Sequence, residues 1–215
     1  EDHFNHLLKA FKDPRYIQVS GKPLLHIFNP KLIPDCKKYL DYWRELSLKA
    51  GLKGLYIVGE TLTVQEKEKY GVDAVTYTSH RKIESRNINN RYLAYLYRKL
   101  FRIPKSLKVF KYKDAIKYFT RNEICPDDEF PYIIPNWDTT ARLEKNAFIL
   151  KGSNPELFRK HVKKVLKTVS HKNFETNIIY IKSWNEWAEG NYLEPDREFG
   201  REYLEVLKEE IYSNK

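Results

Sequence analysis

The sequence predicts an α/β protein assembled from about five parallel β/α units. Three observations carry this expectation. Short apolar runs alternate with amphipathic stretches along the 215 residues. Nearly every apolar run is followed by a helical pattern, the order of crossover-linked parallel strands and not of hairpins. The connections between them are short. Five such units suit an open doubly wound sheet and equally make five eighths of a closed (β/α)8 barrel. No Gly-x-Gly-x-x-Gly and no Gly-x-x-x-x-Gly-Lys follows any run, so the dinucleotide and P-loop forms of the open sheet lack their phosphate cradle.

The elements follow in order. PLLHIF (23–28) reads as a buried strand. IPDCKKYLDYWRELSLKAG (33–51) reads as a helix with Cys36, Leu40, Trp43, Leu46 or Ser47, and Ala50 on one stripe; Pro34 and Asp35 suit its start and Gly51 its stop. LYIVG (55–59) is the next strand, followed by a short helix around Val64 to Tyr70 and a strand AVTY (74–77). Residues 86–121 carry helical patterning broken by Pro104, with Tyr92, Tyr95, Tyr97, Tyr112 and Tyr118, and are read as two helices. PYIIPNW (131–137) is a strand closed by Pro135. After a polar loop, PELFRKHVKKVLKTV is the clearest helix, with Phe158, Val162, Val165, Leu166 and Val169 on one face. NIIYIKSW (177–184) is the last strand. FGREYLEVLKEEIY is the last helix, with Phe199, Tyr203, Val206, Leu207 and Ile211 on its stripe. With no internal repeat, low-complexity tract or linker, one domain is the economical expectation.

The formal charge of +10 and pI near 9.3 admit an acidic partner: nucleic acid, an anionic membrane surface or a phosphorylated substrate. Basic residues are dispersed from Lys9 to Lys215, with adjacent pairs such as Lys37-Lys38 and Lys163-Lys164. A nucleic-acid reader concentrates them on one face, so a dedicated nucleic-acid groove is not expected. A general lysine bias of the source proteome accounts for the charge equally well. Cys36 and Cys125 lie far apart, with no Cys-x-x-Cys, so free thiols in a reducing cytosol are the default and neither a disulfide framework nor a zinc site is expected. No run of eighteen apolar residues and no export signal is visible. Methionine is absent even at position 1, from which we expect the chain to start partway through a longer gene product.

In parallel β/α folds chemistry gathers beyond the carboxyl ends of strands. Glu60 follows LYIVG, and there the competing reading is a capping or solvated acid. Asn136-Trp137-Asp138-Thr139-Thr140-Ala141-Arg142 follows PYIIP; Asp138 and Arg142 either hold substrate or pair with each other at i, i+4 as a structural salt bridge. After NIIYIK comes SWNEWAEGNYLEPD (183–196), which packs three glutamates and two tryptophans into fourteen residues. A single helical turn would bring Glu186 and Glu189 within about 5–6 Å. Two carboxyls at about 5–9 Å are what chemistry at a glycosidic bond uses, one as acid and one as base or nucleophile. Trp184, Trp187 and Tyr192 offer flat faces on which a sugar ring stacks, and Asn185 a hydrogen bond to orient a hydroxyl. Against this stands the commonplace that two glutamates three apart decorate many solvated helices. A metal site of Glu186, Glu189 and Glu194 lacks a histidine or aspartate ladder to support it, and no metal or other cofactor is expected.

The stretch WNEWAEGNYLEPD with its following helix resembles the signature that ends the catalytic domain of WbsX-like glycosyltransferases of bacterial surface polysaccharide synthesis, a group similar to the endo-α-mannosidase-type glycoside hydrolases (family 99-like). HLLKAFKDPRYIQVSGKPLLHIFNPKLIPD and FPYIIPNWDTTAR fit the same family, so the resemblance covers essentially the whole chain. It implies a (β/α)8 TIM-type barrel with a carbohydrate site at the carboxyl end of its strands. It also implies that Glu186 and Glu189 are the catalytic pair, the first a base toward the neighbouring 2-hydroxyl of the sugar and the second an acid/base on the bridging oxygen. Trp137, Asp138, Arg142, Trp184, Asn185, Trp187, Tyr192, Glu194 and Glu60 become the candidate substrate contacts. Family members carry an amino-terminal half ahead of the segment where this chain begins. Residues 1–215 are therefore expected to be a single catalytic-domain fragment supplying roughly strands four to eight of a partial barrel.

Three functional classes follow. The first is an enzyme acting at glycosidic bonds, by transfer in O-antigen or capsule assembly or by endo-acting hydrolysis. It would be placed in the cytoplasm at the inner face of the membrane, where a basic surface suits a donor diphosphate or an anionic membrane. The second is a module that binds glycans without turning them over. The third, a nucleic-acid binder, rests on net charge alone.

Overall fold

In the computed structural model, which describes residues 1–76, 100, 108–119 and 124–213, the strands in chain order are β1 (Gln18–Val19), β2 (Lys22–Ile27), β3 (Tyr56–Glu60), β4 (Ala74–Thr76), β5 (Lys108–Lys111), β6 (Glu129–Phe130), β7 (Tyr132–Ile133), β8 (Phe148–Lys151), β9 (Tyr180–Ile181), β10 (Asn185–Glu186) and β11 (Asn191–Tyr192). The helices are α1 (Asp2–Phe11), α2 (Cys36–Lys49), α3 (Lys67–Tyr70), α4 (Tyr112–Ala115), α5 (Thr140–Leu143), α6 (Pro155–Val169) and α7 (Glu202–Ser213). The result is a mixed α/β fold in two compact units.

The first unit comprises Glu1–Thr78 with Pro126–Phe130 and His171–Ile178. Ser20 and Gly21, both at positive φ, make the two-residue turn that folds β1 antiparallel onto β2. From β2 onward the pairing is parallel, and the strands of this sheet lie side by side in chain order, β2-β3-β4-β6. That order has no reversal, whereas a doubly wound sheet reverses at its switch point. The expected stripe of α2 is the buried one: Cys36, Leu40, Trp43 and Ser47 face the sheet and meet Phe4 and Phe11 of α1 over Leu55, Ile57 and Val75. Asp35 does precede α2, but it sits in the left-handed region and makes no side-chain cap. The short helix expected near Val64 to Tyr70 is a 3₁₀ turn, Val64–Glu66, running into α3, and Thr63 and Glu66 close a capping box at its start.

The second unit comprises Ser79–Cys125, Pro131–Ser170 and Ile179–Lys215. Asn154 Oδ1 accepts the Leu157 N–H at 2.9 Å, and Pro155 opens α6 where its missing N–H costs nothing. Helix α6 buries Phe158, His161, Val162, Val165 and Val169, and it packs with Tyr203 and Val206 of α7 around Ile133. A second cluster gathers Tyr112, Phe119, Tyr132, Ile134, Trp137, Phe148 and Leu150.

Several expectations are corrected. Lys108–Lys111, read as part of a helix, is strand β5, and Phe148–Lys151, read as polar loop, is its parallel partner β8. Both are short and lysine-ended, so neither shows a period; the Phe110–Phe148 ring contact at 5.4 Å holds them together. The last strand shrinks from NIIYIKSW to Tyr180–Ile181, and PYIIPNW to Tyr132–Ile133 beside the separate β6. On α7 Ile211 is 42% exposed, while Glu210 is buried against Arg159 of α6 at 2.7 Å. The helical reading at Tyr92, Tyr95, Tyr97 and Pro104 lies outside the described residues.

Candidate functional site

The candidate site grows out of the end of β9. After the cis Lys182-Ser183 peptide, the Ser183 hydroxyl donates to the Asn191 carbonyl at 2.6 Å and accepts the Glu186 N–H at 3.1 Å. The Trp184 carbonyl accepts the N–H groups of both Leu193 and Glu194 at 2.9 Å. These bonds clamp the base of the hairpin in which β10 pairs antiparallel with β11, Asn185 facing Tyr192 and Glu186 facing Asn191. Its tip is a 3₁₀ turn, Trp187–Glu189, closed by Gly190 at φ +48. The expected turn between Glu186 and Glu189 therefore exists, as a tight tip and not as the start of a helix.

The loop after β7 grips this hairpin. Asn136 Oδ1 accepts the Tyr192 N–H at 2.8 Å, the Asn136 carbonyl accepts from the Asn191 amide, and the Asp138 N–H donates to the Glu189 carbonyl at 2.9 Å. A β-carbon on Gly190 would lie 2.8 Å from the Asp138 carbonyl oxygen, so the close approach of the two segments requires glycine there as much as the positive φ does. Arg142, on α5, donates from Nη1 to Glu189 Oε1 at 2.7 Å. The Asp138–Arg142 pair weighed from the sequence does not form. Asp138 Oδ1 instead accepts the Thr140 N–H at 2.9 Å and the Thr140 hydroxyl.

The remaining candidates divide by exposure. Trp184 and Trp187 are half exposed, and Asn185 and Glu186 lie open to solvent. The Trp187 ring stacks on Tyr192 with centroids 4.0 Å apart and planes at 24°, and its indole N–H donates to Glu194 Oε2 at 2.8 Å. Burial pushes the Tyr192 phenol up, with Asp196 adding to the shift. Trp187 and Tyr192 also border a cavity of about 600 Å³ completed by Pro195, Asp196, Arg197 and Glu198. Trp137 is different: it is 6% exposed and packs edge-on against Phe148 in the core. Glu60 does not follow its strand but ends β3, buried in the first unit with His26 Nε2 3.6 Å from Oε2. Burial holds the His26 imidazole below its ordinary range, and Glu60 acts against that shift. Among the described residues no three His, Cys, Asp or Glu side chains, Glu186, Glu189 and Glu194 included, are placed to hold a metal ion. Among the described residues no helix is long and apolar enough to cross a membrane.

Sequence reasoning passed over Asn136, Ser183 and Gly190 as positioning groups. Gly190 carried the one usable signal, a glycine inside a dense polar motif, which marks a turn or a close backbone approach. His26 carried none, since a lone histidine in an apolar run reads as core.

The fold has a solved counterpart named "Glycoside hydrolase-like protein", similar at a TM-score of 0.61 and 21% identity over 97% of this chain and 59% of the other. The chain belongs to the WbsX glycosyltransferase family, whose model, Glycosyltransferase WbsX, matches residues 1–207. Among curated relatives it is similar to the uncharacterized protein WxcX of Xanthomonas campestris pv. campestris, 22% identical in strain B100 and 21% in strain ATCC 33913, each over 96% of this chain. The chain spans 29% of the length of those relatives.

Proposed function

We propose that this chain contributes the acid–base centre of a glycosyltransferase of bacterial surface polysaccharide synthesis, with Glu186 and Glu189 as the reacting carboxyls. The observation that carries the proposal is the hairpin tip. It presents both glutamates on one clamped turn, Glu186 in solvent and Glu189 pinned by Arg142, beside a stacked Trp187–Tyr192 pair. In this scheme Glu186 removes the proton of the 2-hydroxyl, whose oxygen bonds to the neighbouring reacting carbon as the bridging oxygen leaves with a proton from Glu189; the acceptor hydroxyl then opens that small ring, giving its proton to Glu189 while Glu186 returns its own to the 2-oxygen. Trp187, Tyr192, Trp184, Asn185 and Asp138 contact the sugar, and Glu194 fixes the Trp187 ring through its indole N–H. The sequential parallel order of the strands supports a (β/α)8 barrel, in which such a site belongs at the carboxyl ends of the strands.

The test uses the full-length protein that contains this chain. Glu186→Gln and Glu189→Gln are each expected to lower turnover by a factor of about 10²–10⁴, the usual worth of a general acid or base, with the unfolding midpoint unchanged. Turnover is read for Glu186→Gln as fluoride release from glycosyl fluorides, and for Glu189→Gln as transfer from, or hydrolysis of, donors with an oxygen leaving group, since fluoride departs without the proton that Glu189 supplies. Full activity in either variant removes that residue from the chemistry. Hydrolysis is the second reading, favoured by the likeness of the fold to the glycoside hydrolase-like protein. Fluoride release with water as the only acceptor, and no transfer product, selects it. A glycan-binding module without catalysis would show modest affinity changes in both variants and no turnover to lose.

A further inference from the structure

We infer that Arg142 is a positioning residue for Glu189, not a contact to the sugar. The inference rests on Glu189 being a reacting carboxyl, as proposed above.

Arg142 belongs to a different sequence motif from Glu189, forty-seven residues away, and the structure joins the two through one Nη1–Oε1 bond of 2.7 Å. The Arg142 side chain is 60% exposed and that of Glu189 20%. A pair so exposed contributes little to folding, so stability gives little reason for it. Its effect is geometric. A glutamate side chain has three rotatable bonds, and a guanidinium held on Oε1 leaves one orientation in which Oε2, without a partner among the described residues, is the oxygen that exchanges the proton. The guanidinium is itself well placed to impose this. The Asp138–Glu189 backbone bond, the two contacts made by Asn136 and the glycine at 190 fix the loop carrying Arg142 against the hairpin carrying Glu189. The tip and its arginine therefore form one rigid assembly, the arrangement expected where a misplacement of about 1 Å costs on the order of 10²-fold in rate.

Two measurements on the full-length protein test this. In the first, carbodiimide coupling of glycinamide is mapped by mass spectrometry, with Glu186 as the internal standard for Glu189. Glu189 is expected to label more slowly than Glu186 in the wild type, to match it in Arg142→Ala, and to fall between in Arg142→Lys. In the second, turnover of glycoside donors with an oxygen leaving group is expected to show kcat lowered about 10- to 100-fold in Arg142→Ala with KM little changed, partly recovered in Arg142→Lys and by added guanidinium. A raised KM with kcat intact would make Arg142 a substrate contact, and an unchanged labelling ratio would show that it does not hold Glu189; either overturns the inference. If Glu189→Gln stays fully active, the site assignment itself has failed. If that variant is inactive while Arg142→Ala behaves as wild type, only the present inference has failed. Where no such donor is turned over, the labelling ratio alone decides.

Discussion

At Gly190 a missing β-carbon lets the loop of one motif lie on the tip of another. The left-handed backbone costs an alanine about 1–2 kcal/mol before any contact is counted, and its β-carbon would meet the Asp138 backbone at 2.8–3.1 Å. Gly152 provides the comparison, since it also has positive φ, +77, but a β-carbon there would meet nothing within 4 Å. Gly190→Ala is therefore expected to lower the urea midpoint further than Gly152→Ala, and to loosen the Arg142–Glu189 bond as well. Equal midpoints would show that the loop does not press on the hairpin. Much of the residue-level site was legible in the sequence: Glu186, Glu189, Trp187 and Tyr192 do share one small hairpin. Trp137 and Glu60 were not, because an aromatic or an acid near a strand end has the same local pattern whether it opens to solvent or is buried; both are buried.

At the scale of elements, α6 and α7 are joined by charge as well as by their apolar stripes. Arg159 donates to Glu210 at 2.7 Å and to Glu209 at 2.6 Å, and the Glu210 side chain is only 7% exposed. Removing the guanidinium takes a 2.7 Å ion pair from a carboxylate that also has the Lys163 ammonium at 3.7 Å. Arg159→Ala is expected to cost about 1–2 kcal/mol in denaturant unfolding, and Glu210→Leu to cost less in that background than by itself, since the two side chains share one ion pair. A cost unaltered in the double variant would place the effect in packing instead. The helices α2 and α6 could be read in advance because a stripe of period 3.6 is written along fifteen or so neighbouring residues. Strands β5 and β8 could not, since four residues each, half of them exposed, contain no period to detect.

For the molecule as a whole, acid sensitivity has a specific source. His161 is fully buried, and burial pushes its imidazole down to about 3, with the carbonyls of Ile134 and Tyr132 acting the other way; its Nδ1 lies 3.2 Å from the Tyr112 hydroxyl. The folded protein thus keeps the ring neutral, while the unfolded chain protonates it below its ordinary 6.5. The sign follows: stability contributed by the neutral ring is present above 6.5 and is lost as pH falls toward 3, at about 1.4 kcal/mol per pH unit for one proton. His161→Leu is expected to flatten the fall of unfolding free energy through that window, measured by urea titrations at stepped pH. An unchanged slope would assign the acid sensitivity to the carboxylate pairs.

By itself the sequence determined the β/α alternation, the buried faces of α2 and α6, and the crowding of two glutamates with aromatic rings just beyond the last strand. Each of these is a local property, carried by neighbours within one or two turns of chain. Only the tertiary structure decided that Arg142 takes Glu189 and not Asp138, that Glu210 is buried, and that Glu60 lies beside His26. Which charges meet across forty or fifty residues depends on where the backbone places them and on what burial then costs, and no spacing along the chain encodes that distance.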